Sequence, residues 1–204
     1  MISSSMARRL RVYVAAGLAA TGGWVAPALA AGAMATGGLT SQPIGHYDFC
    51  KQHPGECSIR PSNLAPARMT NGLMSKLASV TARVNAAVKP MSDMDIYGKD
   101  EVWAYPHGAG DCEDYVLEKR RDLMLKGISL ADLLITVVRK PDGEGHAVLT
   151  VRTDQGDYIL DNLNDAVTPW EATGYRYLKR QATNHTGRWV TIREGNTTLV
   201  GSVK

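Results

Sequence analysis

The chain has 204 residues, of which 44% are hydrophobic and 21% charged, a balance typical of a globular protein. Its formal net charge of +3 equals the contribution of Arg8, Arg9 and Arg11, which lie in an N-terminal segment without acidic residues. The rest of the chain is therefore close to neutral, which argues against a basic surface for nucleic acid. About 170 residues remain after that segment, enough for one domain with a hydrophobic core.

Residues 1–30 have the three parts of a secretory signal peptide. The arginines form a basic start, an apolar stretch runs from Val12 to Val25, and Ala28-Leu29-Ala30 supplies small residues where signal peptidase cuts. The apolar stretch is too short for a membrane span, which needs about 20 apolar residues. The sequence therefore predicts cleavage after Ala30 and export to the periplasm. An uncleaved N-terminal anchor is the alternative.

Residues 31–43 are rich in Gly, Ala and Thr, and they are predicted to form a flexible N-terminus of the mature chain. The folded domain is expected over residues 44–204. Within it, the proline-containing stretch Ile44–Pro66 is predicted to be loop-like. A first helix is expected over Ala67–Val88, because apolar residues recur there every three or four positions.

A second irregular stretch, 91–111, precedes a second helix from about Cys112 to Lys126. Strand-like runs separated by turn sequences follow it; they are Leu133–Arg139, His146–Thr153, Asp157–Leu160, Arg176–Arg180 and Trp189–Arg193. Helices followed by an antiparallel meander indicate an α+β fold, with the N-terminal helices packed on an antiparallel sheet.

The three cysteines divide unevenly. Cys50 and Cys57 lie seven positions apart around a Pro-Gly turn, and in an oxidising compartment such a pair predicts a local disulfide. A zinc site formed by these cysteines with His46 and His53 is the alternative, although their spacing fits none of the common zinc patterns. Cys112 is left without a partner, and an unpaired cysteine in an exported protein is a candidate reactive thiol.

Cys112 is expected at the N-terminus of the second helix, where free N–H groups and the helix dipole stabilise a thiolate. Asp111, Glu113 and Asp114 surround it, and their negative charge raises the thiol pKa unless a cation or a protonated histidine offsets it. The acids either cap the helix or bind a hard ion such as Ca²⁺ through oxygen. Spacing alone leaves both interpretations open.

His146 opens one predicted strand and Asp161 closes the next, so a hairpin places both side chains on one face of the sheet. A turn centred on Thr153-Asp154 sets the two residues directly opposite each other. A turn centred on Gln155-Gly156 offsets them by four residues, too far for contact without a bulge. The hairpin is compatible with a His–Asp pair when its turn is centred on Thr153-Asp154.

These residue types fit the roles of a catalytic triad. Cys112 would attack a carbonyl, His146 would take the thiol proton, and Asp161 would orient the imidazole. Backbone N–H groups near Cys112 would form part of an oxyanion hole. Trp103 either shields the site, lends it an indole N–H, or belongs to the core. The competing interpretation is a buried structural cysteine, a hydrogen-bonded edge histidine and a strand-end aspartate.

Three motifs resemble those of the bacterial transglutaminase-like cysteine peptidases, in the expected order of cysteine, histidine and aspartate. They are Gly110–Tyr115, Gly145–Leu149 and Leu160–Asn162, and the resemblance extends over roughly residues 44–193. It implies a papain-like α+β fold and peptide-bond hydrolysis by Cys112, His146 and Asp161 through a thioester. It also implies Ca²⁺ bound by Asp111 and Glu113.

By the same resemblance, the best-understood members are periplasmic proteases that release a large surface adhesin and so disperse biofilm. An inner-membrane receptor for cyclic di-GMP restrains them. The implied partners are therefore a protein substrate, such as a large adhesin, and a receptor of that kind. Two other functions fit the residues: a transglutaminase or amidase that uses the same triad, and a non-catalytic binding module in which Cys112 is inert.

Overall fold

The structure is a computed structural model and describes residues 32–193. The predicted signal peptide, residues 1–30, and the last part of the predicted domain, 194–204, lie outside the described residues. Within residues 32–193, no helix has the length and apolar character needed to cross a membrane.

The α-helices of the described chain all precede its strand-rich C-terminal half. They are α1 (Ile44–Gln52), α2 (Pro54–Cys57), α3 (Asn71–Ala87), α4 (Asp93–Tyr97) and α5 (Cys112–Leu125). The predicted second helix is thereby confirmed in α5, which begins at Cys112.

Seven strands form one antiparallel sheet in the order β1-β9-β8-β4-β5-β6-β7, and β2 and β3 pair in parallel beside it. A short 3₁₀ helix, Trp170–Ala172, lies between β7 and β8. All five predicted strand-like runs are confirmed in β4, β5, β6, β8 and β9, and so is the α+β fold class. The strands are β1 (Thr36–Thr40), β2 (Lys89–Pro90), β3 (Ala109–Gly110), β4 (Leu133–Arg139), β5 (Gly145–Thr153), β6 (Gly156–Leu160), β7 (Thr168–Pro169), β8 (Arg176–Ala182) and β9 (His185–Ile192).

The main hydrophobic core lies between the sheet and the helices α3 and α5. Helix α5 contacts β4 and β5 on one side and α3 on the other. Each large apolar side chain buried there contributes about 1.5–3 kcal/mol. The buried residues include Leu77, Val80 and Val84 of α3, Val116, Leu117 and Leu123 of α5, and Leu133, Ile135, Leu149 and Val151 of the sheet.

Helix α3 begins at Asn71, four residues later than predicted. The hydroxyl of Thr70 accepts a hydrogen bond from Leu73 N at 3.0 Å and caps the helix. Ala67, the predicted start, instead forms a parallel bridge with Thr153 of β5. The apolar repeat predicted the body of the helix correctly, but this backbone pairing removes its first turn.

The prediction of a loop over Ile44–Pro66 is wrong, because α1 and α2 lie there. Gly45 permits the first of them to pack, since a Cβ at this position would lie 2.3 Å from Cδ1 of Trp103. Pro54 starts α2 at a position where its missing N–H has no helical partner. A disulfide between Cys50 and Cys57 joins the two helices.

The prediction of a flexible segment over residues 31–43 also needs correction. Thr36–Thr40 forms the edge strand β1, which pairs with β9. The glycine-rich composition of this segment predicted flexibility. The segment is nevertheless a strand, because its backbone pairs with β9 and this pairing needs no large side chain. The strand covers an edge of the sheet that would otherwise expose the unpaired N–H and C=O groups of β9.

We expect the double variant Cys50→Ser/Cys57→Ser to unfold with a free energy lower by about 2 kcal/mol, because so short a cross-link removes limited loop entropy from the unfolded chain. Urea unfolding at neutral pH measures this difference. Mass spectrometry that finds free thiols at both positions in the oxidised wild-type protein would contradict the disulfide itself.

Candidate active site

Cys112 is the first residue of α5, and Asp111 before it has an extended backbone as the N-cap residue. The free N–H groups of the helix start therefore surround the thiol. Gly110 allows this tight approach, because a Cβ there would lie 2.5 Å from Oδ2 of Asp114. The local sequence thus places Cys112 partly buried at a helix N-terminus.

The hairpin that carries His146 and Asp161 has a register between the two considered from sequence. Thr153 pairs with Gly156, so the turn consists of Asp154-Gln155. Neither predicted turn is present. Gly156 has a φ of 105°, a left-handed conformation that favours glycine and sets this two-residue connection.

His146 is the second residue of β5, and Asp161 directly follows β6. The observed register, extended by one pair, places Asp161 opposite Val148, two residues along β5 from His146. Both side chains therefore lie on the same face, as predicted, and they are diagonal neighbours. Nε2 of His146 donates to Oδ1 of Asp161 at 2.8 Å.

The His146–Asp161 pair is shielded from water, with 6% and 5% of the two residues exposed. Burial raises the pKa of Asp161, but hydrogen bonds from His146 and Tyr175 outweigh it and lower that pKa below its ordinary value. The carboxylate therefore stays ionised at neutral pH and holds the proton on Nε2. Nδ1 is left as the ring nitrogen that can accept a proton.

The thiol of Cys112 lies beside β5 but is hydrogen-bonded to its own neighbour. It donates to Oε2 of Glu113 at 3.0 Å, and among the described residues no hydrogen bond joins it to His146. Burial is the main cause that raises the thiol pKa, and the Glu113 carboxylate raises it further, while the backbone of Ala147 lowers it. In this arrangement the thiol is protonated at neutral pH.

Three carboxylates meet beside the thiol: Asp93, Asp111 and Glu113 each place an oxygen within 4.8 Å of the others. Oδ1 of Asp93 and Oδ1 of Asp111 are buried without hydrogen-bond partners in the described structure. Burial, followed by the charges of Glu113 and Asp93, raises the pKa of Asp111 to about 8. This oxygen-only donor set with unpaired buried atoms fits a hard cation such as Ca²⁺.

The capping interpretation of the acids is not supported, because the Asp111 side chain makes no cap hydrogen bond although its backbone occupies the N-cap position. Asp114 is not one of the three clustered carboxylates, and its Oδ1 accepts a hydrogen bond from Ala104 N at 2.8 Å. Burial raises the pKa of Asp114 to about 7. Asp114 therefore anchors the loop before α5.

The zinc alternative at Cys50 and Cys57 is excluded in this structure, because the two sulfurs are bonded to each other and are not available as thiolates. His46 lies beside them, and burial, helped by the charge of Arg120, lowers its pKa to about 3. The neutral ring accepts a hydrogen bond from Trp189 Nε1 at 3.2 Å. This cluster is therefore part of the packing around α1.

Two open cavities meet at the thiol, and Cys112, Gly145 and His146 line both of them. The apolar cavity has further walls formed by Pro43, Ile44, Trp103, Val137 and Ala147, with the charged residues Glu101, Glu113 and Lys179. The other cavity is lined by Pro90, Met91, Ser92, Asp95, Gly110, Asp111, Lys140, Glu144, Asn162 and Leu163. The sulfur thus lies where two cavities with otherwise different walls adjoin.

Trp103 belongs both to the core and to the wall of the apolar cavity. Only 5% of the residue is exposed, and its Nε1 is buried without a hydrogen-bond partner among the described residues. A buried indole N–H normally finds an acceptor, because leaving one unpaired costs free energy. Trp103 therefore forms part of the cavity wall, while its Nε1 packs against Gly45, where a Cβ would lie 2.6 Å from it.

Two residues that contact the site were missed by the sequence analysis. Asp93 lies in the segment predicted to be irregular, eighteen positions before Asp111. Tyr175 is the last residue of the loop before β8. The acidic pair Asp93 and Asp95 was a visible signal, but only the fold shows which carboxylate reaches the cluster. Nothing local distinguished Tyr175 from Tyr177 in the sequence.

Comparison with known proteins gives a family and a fold. The profile of the bacterial transglutaminase-like cysteine proteinases (BTLCP) matches residues 36–197 of the chain. Among curated protein sequences, none matches.

Solved structures of LapG from Legionella pneumophila are similar in fold. One is 24% identical, with a TM-score of 0.50, and the alignment covers 63% of this chain and 72% of that one. The calcium-bound form is 21% identical, with a TM-score of 0.51 and coverage of 78% and 88%. The EGTA-treated form is 23% identical, with a TM-score of 0.50 and coverage of 63% and 74%.

We expect Gly110→Ala to lower the free energy of unfolding by about 1–3 kcal/mol, because its Cβ would overlap the Asp114 side chain. Urea unfolding and circular dichroism measure the change. Gly55→Ala is the matched control, since nothing lies within 4 Å of a Cβ at Gly55. Equal stability of the two variants would contradict the packing around Gly110.

Proposed function

This chain belongs to the bacterial transglutaminase-like cysteine proteinases and is a cysteine peptidase, and we propose that Cys112, His146 and Asp161 are its catalytic triad. The observation that supports this most strongly is the buried 2.8 Å hydrogen bond from Nε2 of His146 to Asp161. His146 lines the same two cavities as the thiol of Cys112. The three groups then match the nucleophile, the base and the residue that orients the base.

In the proposed reaction, Nδ1 of His146 takes the thiol proton as the sulfur of Cys112 attacks the substrate carbonyl carbon. The imidazolium then gives that proton to the leaving amine, and a thioester remains on Cys112. Water, deprotonated by His146, hydrolyses the thioester and regenerates the thiol. Asp161 keeps the ring in the required tautomer throughout and stabilises its positive charge.

The negative charge of the tetrahedral intermediate needs donors fixed beside the sulfur. The backbone N–H of Cys112 lies at the helix start, where it has no partner within the helix. The indole N–H of Trp103 is buried against Gly45 and is not assigned this role. We assign the backbone N–H of Cys112 to the oxyanion.

The open cleft supports cleavage within a polypeptide. Since two open cavities with otherwise different walls adjoin at Cys112, there is room for an extended chain that continues past the thiol beyond the scissile bond. A site that accepts only a chain end would need a wall on one side. The proposed activity is therefore that of an endopeptidase.

The Cys112→Ala variant should lose all hydrolysis while its thermal midpoint stays nearly unchanged, because the sulfur is a reacting atom and one small side chain replaces another. Hydrolysis of p-nitrophenyl acetate and thermal unfolding measure the two properties. His146→Ala should slow alkylation of Cys112 by iodoacetamide at neutral pH. A large loss of stability in Cys112→Ala with alkylation that is equally slow in wild type and His146→Ala would favour the non-catalytic binding module.

An acyl transferase with the same triad is the competing activity, since an amine can intercept the thioester. Release of ammonia from a glutamine-containing peptide and incorporation of a labelled primary amine would identify it. Cleavage of a peptide bond without either product would support hydrolysis.

We also propose that Asp93, Asp111 and Glu113 hold Ca²⁺. Each places one oxygen within 4.8 Å of the others, close enough to share one ion, and Asp93 and Asp111 each also have a buried Oδ1 without a partner among the described residues. A bound Ca²⁺ would supply positive charge that offsets the carboxylates and favours the thiolate. The calcium-bound form of LapG, which has a similar fold, is consistent with such a site.

Removal of calcium with EGTA should lower activity, and addition of Ca²⁺ should raise the thermal midpoint, because an ion that binds only the folded state stabilises it by about 2.7 kcal/mol at a hundredfold excess over its Kd. Asp93→Asn should weaken both effects. Asp48→Asn, which changes an exposed aspartate on α1, is the matched control. Full activity in EGTA would contradict a functional role for the ion.

The periplasm is the proposed compartment. The signal-like segment 1–30 and the disulfide between Cys50 and Cys57 support export to an oxidising environment. A large surface adhesin as substrate and restraint by an inner-membrane cyclic di-GMP receptor complete the proposal. Both rest on the family resemblance.

A further inference from the structure

The carboxylate of Asp161 has a fixed partner on each oxygen. Oδ1 accepts from Nε2 of His146 at 2.8 Å and from the backbone N–H of Leu163 at 3.0 Å. Oδ2 accepts from the hydroxyl of Tyr175 at 2.6 Å. The backbone carbonyl of Asp161 accepts a hydrogen bond from Nδ2 of Asn85 at 2.9 Å. Tyr175 is therefore the side chain that holds the oxygen facing away from the histidine.

Tyr175 contacts the histidine as well as the aspartate. Its ring lies edge-on to that of His146, with centroids 5.7 Å apart and an interplanar angle of 72°, a favourable arrangement for aromatic pairs. The backbone N–H of Tyr175 donates to Oγ1 of Thr173 at 3.3 Å. Tyr175 thus contacts both members of the His–Asp pair, and its own backbone is held by the hydrogen bond to Thr173.

We propose that Tyr175 is a positioning residue of the triad, whose hydroxyl fixes the Asp161 carboxylate and whose ring limits rotation of the His146 imidazole. This inference rests on the proposed function of Cys112, His146 and Asp161. Without the hydroxyl, Oδ2 of Asp161 would lose its hydrogen-bond donor, and the carboxylate could rotate about χ2. The histidine would then spend less time with Nδ1 directed at the thiol.

A nearby positive charge cannot replace this hydrogen bond. Lys119 of α5 is fully buried, and its charge interacts favourably with that of Asp161. However, its Nζ has no hydrogen-bond partner among the described residues. An ammonium group that makes no hydrogen bond favours the ionised carboxylate but does not set its orientation.

Tyr177 provides a matched control two positions further along the chain. Its hydroxyl shares a hydrogen bond of 2.9 Å with Oγ1 of Thr173 and donates to the carbonyl of Trp170 at 3.2 Å. Neither partner belongs to the proposed triad. Tyr177→Phe therefore removes a comparable hydroxyl that makes no hydrogen bond to Asp161, and Oγ1 of Thr173 keeps its own hydrogen bond to the carbonyl of Trp170 at 2.9 Å.

The first test compares Tyr175→Phe with Tyr177→Phe in the hydrolysis of p-nitrophenyl acetate. Loss of a hydrogen bond to a charged group should lower kcat about tenfold in Tyr175→Phe, with KM nearly unchanged. Tyr177→Phe should keep the wild-type kcat, whatever its thermal midpoint. Equal kcat in wild type and Tyr175→Phe, or equal losses in the two variants, would overturn the inference.

The second test separates positioning from a structural role. In an Asp161→Asn background, Tyr175→Phe should no longer slow alkylation of Cys112 by iodoacetamide, because the group that it positions is already altered. In the wild-type background, Tyr175→Phe should slow the alkylation of Cys112. The imidazole N–H resonance of His146 in ¹⁵N-histidine NMR should shift in Tyr175→Phe and stay in place in Tyr177→Phe. Equal slowing in both backgrounds with an unmoved resonance would show a purely structural residue.

Failure of this inference can be told from failure of the proposed function. If Cys112→Ala retains hydrolysis, the triad itself is wrong, whatever Tyr175→Phe does. If Cys112→Ala is inactive and Tyr175→Phe has the wild-type kcat, only the role of Tyr175 is wrong.

Discussion

The packing of α5 between the sheet and α3 is the constraint on which the site depends. The helix buries Val116, Leu117 and Leu123 in the core, and Nε of Arg120 donates to the carbonyl of Leu133 in β4 at 3.2 Å. Because interiors are close-packed, a helix held in this way cannot slide by much along the sheet. Its first residue, Cys112, is therefore fixed beside the strand that carries the histidine.

The same packing brings negative charge together. Burial raises the pKa values of Glu113 and of the Cys112 thiol, and the carboxylate next to the sulfur raises the thiol pKa further. A helix dipole of about half a unit charge does not balance several buried carboxylates. The pKa of the thiol and the pKa values of the acids therefore depend on each other, and a cation held by the acids would lower all of them.

The walls of the cleft come from segments far apart in the chain. The disulfide-linked pair α1 and α2 docks on β9, where a Cβ on Gly187 would lie 2.4 Å from the carbonyl oxygen of Cys57. This places Pro43 and Ile44 in the wall of one cavity beside the thiol, and the loop after β6 places Leu163 in the wall of the other. The core thus fixes the reacting groups, and peripheral elements shape what reaches them.

The sequence by itself determined the α+β class, helix α5, the five long C-terminal strands and the pairing of Cys50 with Cys57. These features have local signals, namely apolar periodicity, turn residues and short cysteine spacing. The candidate residues Cys112, His146 and Asp161 were found in the same way, since each stands at the end of an element with a recognisable pattern.

Only the tertiary structure decided which residues meet. The Asp154-Gln155 turn set the register that makes His146 and Asp161 diagonal neighbours, and the fold brought Asp93 to Asp111 and Tyr175 to Asp161. Helix α1 and strand β1 likewise depend on distant partners, Trp103 and β9. Periodicity records which face of an element is buried, but it does not record the partner against which that face packs, because that choice depends on contacts between residues far apart in the chain.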